Sequence, residues 1–192
     1  MSDEKLSSSK KLLAITVGSL VYAALNIAFN PFRISETQLI ALRPSVAIPM
    51  FLGYIFGPLV GFATGFLGNV IGDAVSWGGF WWNWDVGNGL LGLVPGLALY
   101  LLPEEERYSR KGLLAASLLA AAGSILGVGF ASYIDYALGY GVSTPLEAFN
   151  ELFLPAAVSD AINGALLTPL LVAAYAALRG GRERRKEGVV WW

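Results

Sequence analysis

The sequence predicts an all-α integral membrane protein of six transmembrane helices with both termini in the cytoplasm. Three observations carry this. The first is composition: of 192 residues, 55% are hydrophobic and only 14% charged, against about 25% charged in soluble domains. The second is the division of the chain into six apolar segments separated by short polar or Gly/Pro-marked breaks. The third is where the cations fall.

The segments run over residues 12–29, 42–56, 59–76, 86–102, 113–138 and 153–178. A spanning helix needs about 20 apolar residues. The first is too long for a signal-peptide core, and the Asn30-Pro31-Phe32-Arg33 that follows is a poor cleavage site, so it reads as a retained span. The second is short and interrupted by Pro49. The third is entered through Gly57-Pro58, the fourth contains Pro95, and the sixth carries Pro155 near its start and Pro169 within. Proline is tolerated inside a span where neighbouring groups satisfy the freed carbonyls. Three regions follow: a cytoplasmic tail over 1–11, a membrane domain over 12–178 and a basic cytoplasmic tail over 179–192.

Placing the N-terminus inside puts Lys5, Lys10, Lys11, Arg107, Arg110, Lys111, Arg179, Arg182, Arg184, Arg185 and Lys186 on the cytoplasmic side. Only Arg33 and Arg43 remain outside, so the thirteen cations divide eleven to two. That is a strong positive-inside signal, and it supports an even number of spans because both basic termini then lie on one side. The chain has no Cys and no His, which excludes disulfides, Ser-His catalysis and His-ligated metal. No cofactor or metal is expected. With the cations confined to loops and tails, nucleic-acid binding is not expected either.

Residues 65–89 read GFLGNVIGDAVSWGGFWWNWDVGNG. Acids inside hydrocarbon cost about 2.5–3.5 kcal/mol each and mark functional sites. In this topology Asn69 and Asp73 fall in the outer half of the third segment, and Asp85 and Asn88 at the outer start of the fourth. Asp160 and Asn163 fall in the outer half of the sixth, and Tyr133, Asp135 and Tyr136 close the outer end of the fifth. The spacings i,i+4 and i,i+3 put each Asp/Asn pair on one helix face. Trp77, Trp81, Trp82 and Trp84 add flat apolar surfaces beside them.

A pocket for a small, flat, polar solute follows, and it requires Asp73 and Asp160 to face one shared cavity. The plainer readings are that the Trp residues anchor the interface and that Asp85 caps the fourth helix. The glycines at 57, 61, 65, 68 and 72 form a stripe suited to close helix packing. Ala14/Gly18, Ser19/Ala23 and Ala24/Ala28 on the first segment offer a second small-residue face, for a helix of this chain or of another protein.

The run IFGPLVGFATGFLGNVIGDAVSWGGFWWNWDVGNGLLGLVPGL, residues 55–97, resembles the substrate-binding S components of energy-coupling factor (ECF) transporters, most closely the riboflavin-type family. It shares a Phe-Gly-Pro turn, a Gly-striped helix ending in an acid, a Gly-Gly/Trp-Trp turn and a Gly-rich fourth helix. It departs at Asn69 and Asp85, where a His and an apolar residue are more usual.

The resemblance implies a six-helix subunit of a prokaryotic cell membrane that binds a vitamin-like ligand from outside, riboflavin or a thiamine-type compound first. It implies an ECF coupling protein and two ABC ATPases as partners, with Ala14, Gly18, Ser19 and Ala23 contacting the coupling protein. The substrate-binding candidates are Asn69, Asp73, Trp77, Trp81, Trp82, Trp84, Asp85, Asn88, Tyr133, Asp160 and Asn163. Loops 34–40 and 140–150 are candidate lids, with Gly139, Gly141 and Gly78-Gly79 as hinges. A proton-coupled secondary transporter is the alternative; it would need a polar trail to the inside, which the inner halves of the segments lack. An intramembrane hydrolase is disfavoured by the absence of a Ser-His pair or a Gly-x-Gly-Asp motif.

Overall fold

A computed structural model describes residues 7–33 and 42–186. Its regular elements are helical: α1 (Ser8–Phe29), α2 (Ala47–Phe56), α3 (Pro58–Trp77), α4 (Trp82–Gly96), the short α5 (Ala98–Leu101), α6 (Arg110–Leu138), the single turn α7 (Pro145–Glu147) and α8 (Leu154–Lys186). A 3-10 turn (Pro44–Val46) leads into α2 and a π turn (Ala148–Phe153) into α8. Four stretches are long and apolar enough to cross a membrane: α1, α3, α6 and Pro145–Arg179. Pro44–Phe56 is a shorter apolar helix, and α4 has 15 residues, about 22 Å at helical rise.

Local chemistry sets these boundaries, and it moves several from where the sequence suggested. Pro49 does not interrupt α2. It sits in the first turn, where a missing N–H costs nothing because no intrahelical acceptor is waiting. Gly57, at φ 106°, ends α2, and Pro58 opens α3 at once. Gly78, left-handed at φ 67°, closes α3.

The fourth helix starts at Trp82, four residues earlier than expected, so Asp85 is not its cap. Trp81 holds the cap position, and the Asp85 N–H donates to the Trp81 carbonyl at 3.0 Å. Pro95 precedes the step from α4 to α5. Ser109 caps α6 by accepting from the Gly112 N–H at 3.3 Å. The expected loop 140–150 is partly helical: Thr144 accepts from the Glu147 N–H, whose carboxylate takes the Ser143 N–H at 2.8 Å. That reciprocal arrangement starts a helix.

The bundle is an arc in which α1 packs on α3, α3 on α4, α4 on α6 and α6 on α8; α2 sits inside it, against α1, α3, α4 and α8. Glycine makes this possible. Gly61 and Gly65 of α3 lie against Gly92 and Asn88 of α4, whereas Gly68 and Gly72 of the same helix lie against Ser19, Tyr22 and Asn26 of α1. The α3 stripe therefore serves two neighbours, on two faces.

On α1, Gly18, Ser19 and Ala23 are buried. Gly18 abuts Leu52 and Thr64, and the Ser19 hydroxyl donates to the Thr64 carbonyl at 3.5 Å. The chain's own α2 and α3 cover them, so this small-residue face serves packing within the chain. Leu12, Val17, Leu20 and Val21 form the outward face of α1.

Alternation of helix direction gathers the ends of α1, α3 and α6 and the starts of α2, α4 and α8 at one end of the bundle. Arg107, Arg110, Lys111 and Arg179 lie at the other, near the start of α1. There Tyr54 donates to the carbonyls of Arg107 and Gly112 at 2.9 and 2.8 Å, tying the α5–α6 connection to α2. Glu104 pairs with Arg179 and Glu106 with Lys111 at the same end.

Candidate functional site

At the first end the helices part around a cavity of about 940 Å³. Its rim is aromatic: Trp77, Phe80, Trp81 and Trp82 line it and are 39–61% exposed. Arg33 caps one of these rings, its guanidinium carbon 4.5 Å from the Trp77 centroid. Asn30 donates to Ser76 at 2.7 Å and holds the end of α1 to the end of α3. Tyr140, Gly141 and Val142 supply the wall beyond α6; Leu91, Gly127 and Val128 line it deeper along α4 and α6.

The polar part of the wall comes from five segments. Asp73 and Asn88 line it from α3 and α4, Asp135 from α6, Asp160 from α8, and Arg43 from the turn ahead of α2. Asp135 is fully engaged by the protein: Asn83 donates to one oxygen at 2.6 Å and the Trp84 indole N–H to the other at 2.7 Å. Asn88 donates to the Trp84 carbonyl at 2.8 Å and accepts from the Tyr22 hydroxyl and, at 3.5 Å, from Arg43. Asp160 is 3% exposed, yet no hydrogen bond reaches its carboxylate among the described residues. Burial works against the charge on Arg43, but Tyr22, Asp160, Asp73 and Asp85 around it outweigh that and raise its pKa above the ordinary guanidinium value.

Behind the wall lies a second layer. Asn69 and Asp85 are 0% exposed and do not line the cavity. The Asn69 amide nitrogen donates to Asp73 and to Asp85, 2.9 Å in each case. Ser45 donates to Asn26 at 2.5 Å, joining α1 to the turn ahead of α2.

Nine of the eleven candidate residues thus meet in one constellation: Asp73, Trp77, Trp81, Trp82, Trp84, Asn88 and Asp160 line the cavity, and Asn69 and Asp85 back it, with Asn69 donating to Asp73 and to Asp85. Tyr133 stands apart, 63% exposed on α6. Asn163 also stands apart, turned back to donate to the Ser159 carbonyl at 2.8 Å. The sequence reading passed over Arg43, Asn83 and Tyr22. A signal existed for Arg43: it is one of only two cations on the side that the positive-inside pattern leaves bare.

One consequence is measurable. Replacing Trp84 with Phe keeps the ring but leaves one Asp135 oxygen without its donor. The expected cost is about 1–3 kcal/mol, read as a lower unfolding temperature in detergent, with Trp82→Phe, whose ring is more exposed, falling less.

An all-helical bundle with apolar spans, a cavity opening at one end and polar groups converging there from five segments defines a membrane-embedded binding protein. The chain belongs to the family described as ECF-type riboflavin transporter, S component, whose model matches residues 6–177. This is a family of transporter subunits that bind substrate in the membrane, not of enzymes. Among curated relatives, UPF0397 proteins of Streptococcus gordonii and Lactobacillus johnsonii are both 28% identical to it, over 87% and 93% of this chain and 88% and 95% of their own. A UPF0397 protein of Aliivibrio fischeri is 26% identical over 94% of both.

Proposed function

We propose that this protein captures a vitamin-sized heterocyclic micronutrient at the outer face of a prokaryotic cell membrane and passes it inward with an ECF coupling protein and two ABC ATPases. The observation that carries this is the cavity itself. Its volume suits a small cofactor-like molecule, its rim is built of indoles on which a flat ring stacks, and its wall holds Asp73, Asn88, Asp160 and Arg43.

The orientation follows the charges. The cavity end holds Arg33 and Arg43, and the opposite end the remaining cations of the spans, so the cavity faces out. In this reading α2, and α4 with α5, complete six crossings and both termini are cytoplasmic. Gly78, Gly139 and Gly141, at φ 67°, 69° and 78°, flank the mouth and serve as hinges for its closure. The other expected lid, 34–40, lies outside the described residues.

Riboflavin is the first ligand to try. Titrating it into the detergent-solubilised protein is expected to quench flavin fluorescence through stacking on the indoles. Mass spectrometry of whatever co-purifies extends the search. If neither riboflavin nor a thiamine-type compound binds, and nothing of that size co-purifies, the proposal fails.

A further inference from the structure

The deep part of the cavity is not electrically balanced. Three acids line the cavity, Asp73, Asp135 and Asp160, and two cations, Arg33 and Arg43. Asp135 has both oxygens occupied by protein donors, and Arg33 lies over Trp77 at the rim. Two carboxylates, those of Asp73 and Asp160, then face one guanidinium. Asp73 already accepts from Asn69. Asp160 has no donor among the described residues although it is 3% exposed.

The Asp160 oxygens open on the cavity rather than being sealed in the protein, so a donor there comes from what the cavity holds. Proteins retain an acceptor without a protein partner where something else supplies the donor. Arg43 lends Asp160 charge, but its hydrogen bond goes to Asn88. We infer that Asp160 is the anchor for a ligand edge carrying two adjacent N–H donors, of the protonated aminopyrimidine or amidinium kind, bound side-on by the carboxylate, with the ring nitrogen taking up a proton on binding. This rests on the binding function proposed above and narrows its substrate class.

A carboxylate presents two acceptor oxygens in one plane and no donor. An edge with two parallel N–H groups matches it, most strongly when that edge carries positive charge. Such a group also offsets the surplus acid. A ligand edge made of carbonyls or hydroxyl lone pairs meets repulsion there and has to turn toward Arg43 and Asn88 instead. The stacked ring and the paired edge are thus read by separate parts of the cavity: the indoles accept many flat rings, and Asp160 selects among them.

The test uses the full chain in detergent and two probes that differ in one group, 4-aminopyrimidine and 4-methylpyrimidine, with riboflavin alongside. Binding is followed by ligand-observed NMR. The amino probe is expected to bind about tenfold or more tightly than the methyl probe, the scale of a charge-assisted hydrogen bond. Asp160→Asn and Asp160→Ser are each expected to erase that preference. Both are expected to melt less far below the parent than Asp135→Asn, because they lose only the charge facing Arg43 and no protein hydrogen bond, whereas Asp135 accepts two.

Equal binding of the two probes by the parent chain overturns the inference without any variant. So does a preference that persists in both Asp160 variants. If riboflavin still binds in those cases, the nutrient-binding function stands and only the assignment of Asp160 falls. If neither pyrimidine nor riboflavin binds the parent chain, the assignment of Asp160 falls, and the function proposed above falls with it once a thiamine-type compound also fails to bind and nothing of that size co-purifies.

Discussion

Gly92→Val is expected to cost the bundle about 4 kcal/mol or more, the range reserved for lesions that the structure cannot absorb. A Cβ on Gly92 would run into the carbonyl and Cα of Gly61; one on Gly61 would meet the Gly92 carbonyl and the Cα of Gly53; one on Gly53 would meet the Gly92 carbonyl again. Helices α2, α3 and α4 therefore touch backbone to backbone at a single crossing. A flexible side chain in that place would rotate aside, but a main chain in a helix has nowhere to go. The valine must push α4 off α3, and the cavity wall formed by Asn88 and Leu91 goes with it.

The measurement is thermal unfolding in detergent together with the elution profile of the solubilised protein. Loss of the monodisperse peak is the expected result. Gly72→Ala is the companion: its Cβ would stop 3.5 Å from the Asn26 Cβ, an ordinary contact, and it is expected to behave like the parent. Equal stability of the two variants would show that the crossing does not depend on glycine.

That crossing also shows what the sequence makes legible. The stripe at 57, 61, 65, 68 and 72 announces close packing because small residues at helical spacing have little other use in a span. It does not say that Gly61 and Gly65 serve α4 while Gly68 and Gly72 serve α1. That division depends on where two other helices lie, and one chain's spacing carries no such coordinate. The small face of α1 is legible on the same terms. Gly18, Ser19 and Ala23 admit a helix of this chain or of another protein, and only the fold shows α3 lying against them.

The site is partly legible on similar terms. Acids in an apolar run stand out by their cost, so Asp73, Asp85 and Asp160 were visible from composition. Whether such an acid faces a cavity or backs it is decided by a rotation of about one residue, 100° around the helix. Asp85 backs the wall and Asn88, three residues on, lines it. Arg43 could be found only through the charge asymmetry that leaves it nearly alone on its side, and Tyr22 was hidden because a tyrosine in a span has ordinary interfacial uses.

Asn69→Leu is expected to remove about 3 kcal/mol of stability, close to the cost of breaking a buried charged partnership from one side. One amide nitrogen serves two carboxylates here, Asp73 on its own helix and Asp85 on α4, each at 2.9 Å. Both acids lie within the bundle, and Asp85 is 0% exposed with its second oxygen unpartnered. Leucine is close in size to asparagine, so the change tests chemistry more than volume. Without the amide, Asp85 loses the one side-chain hydrogen bond it makes among the described residues, and Asp73 loses its donor one turn back on α3. The double variant Asn69→Leu/Asp85→Leu is then expected to recover a large part of the loss, because it leaves no stranded carboxylate behind the wall, and Asp73, which also loses its donor, opens on the cavity. Unfolding temperatures of the parent, both single variants and the double variant, measured in one detergent, close the cycle. A double variant no more stable than Asn69→Leu alone would mean that Asn69 holds α3 to α4 by its shape, and that the acid behind the wall is not what its amide is there to satisfy.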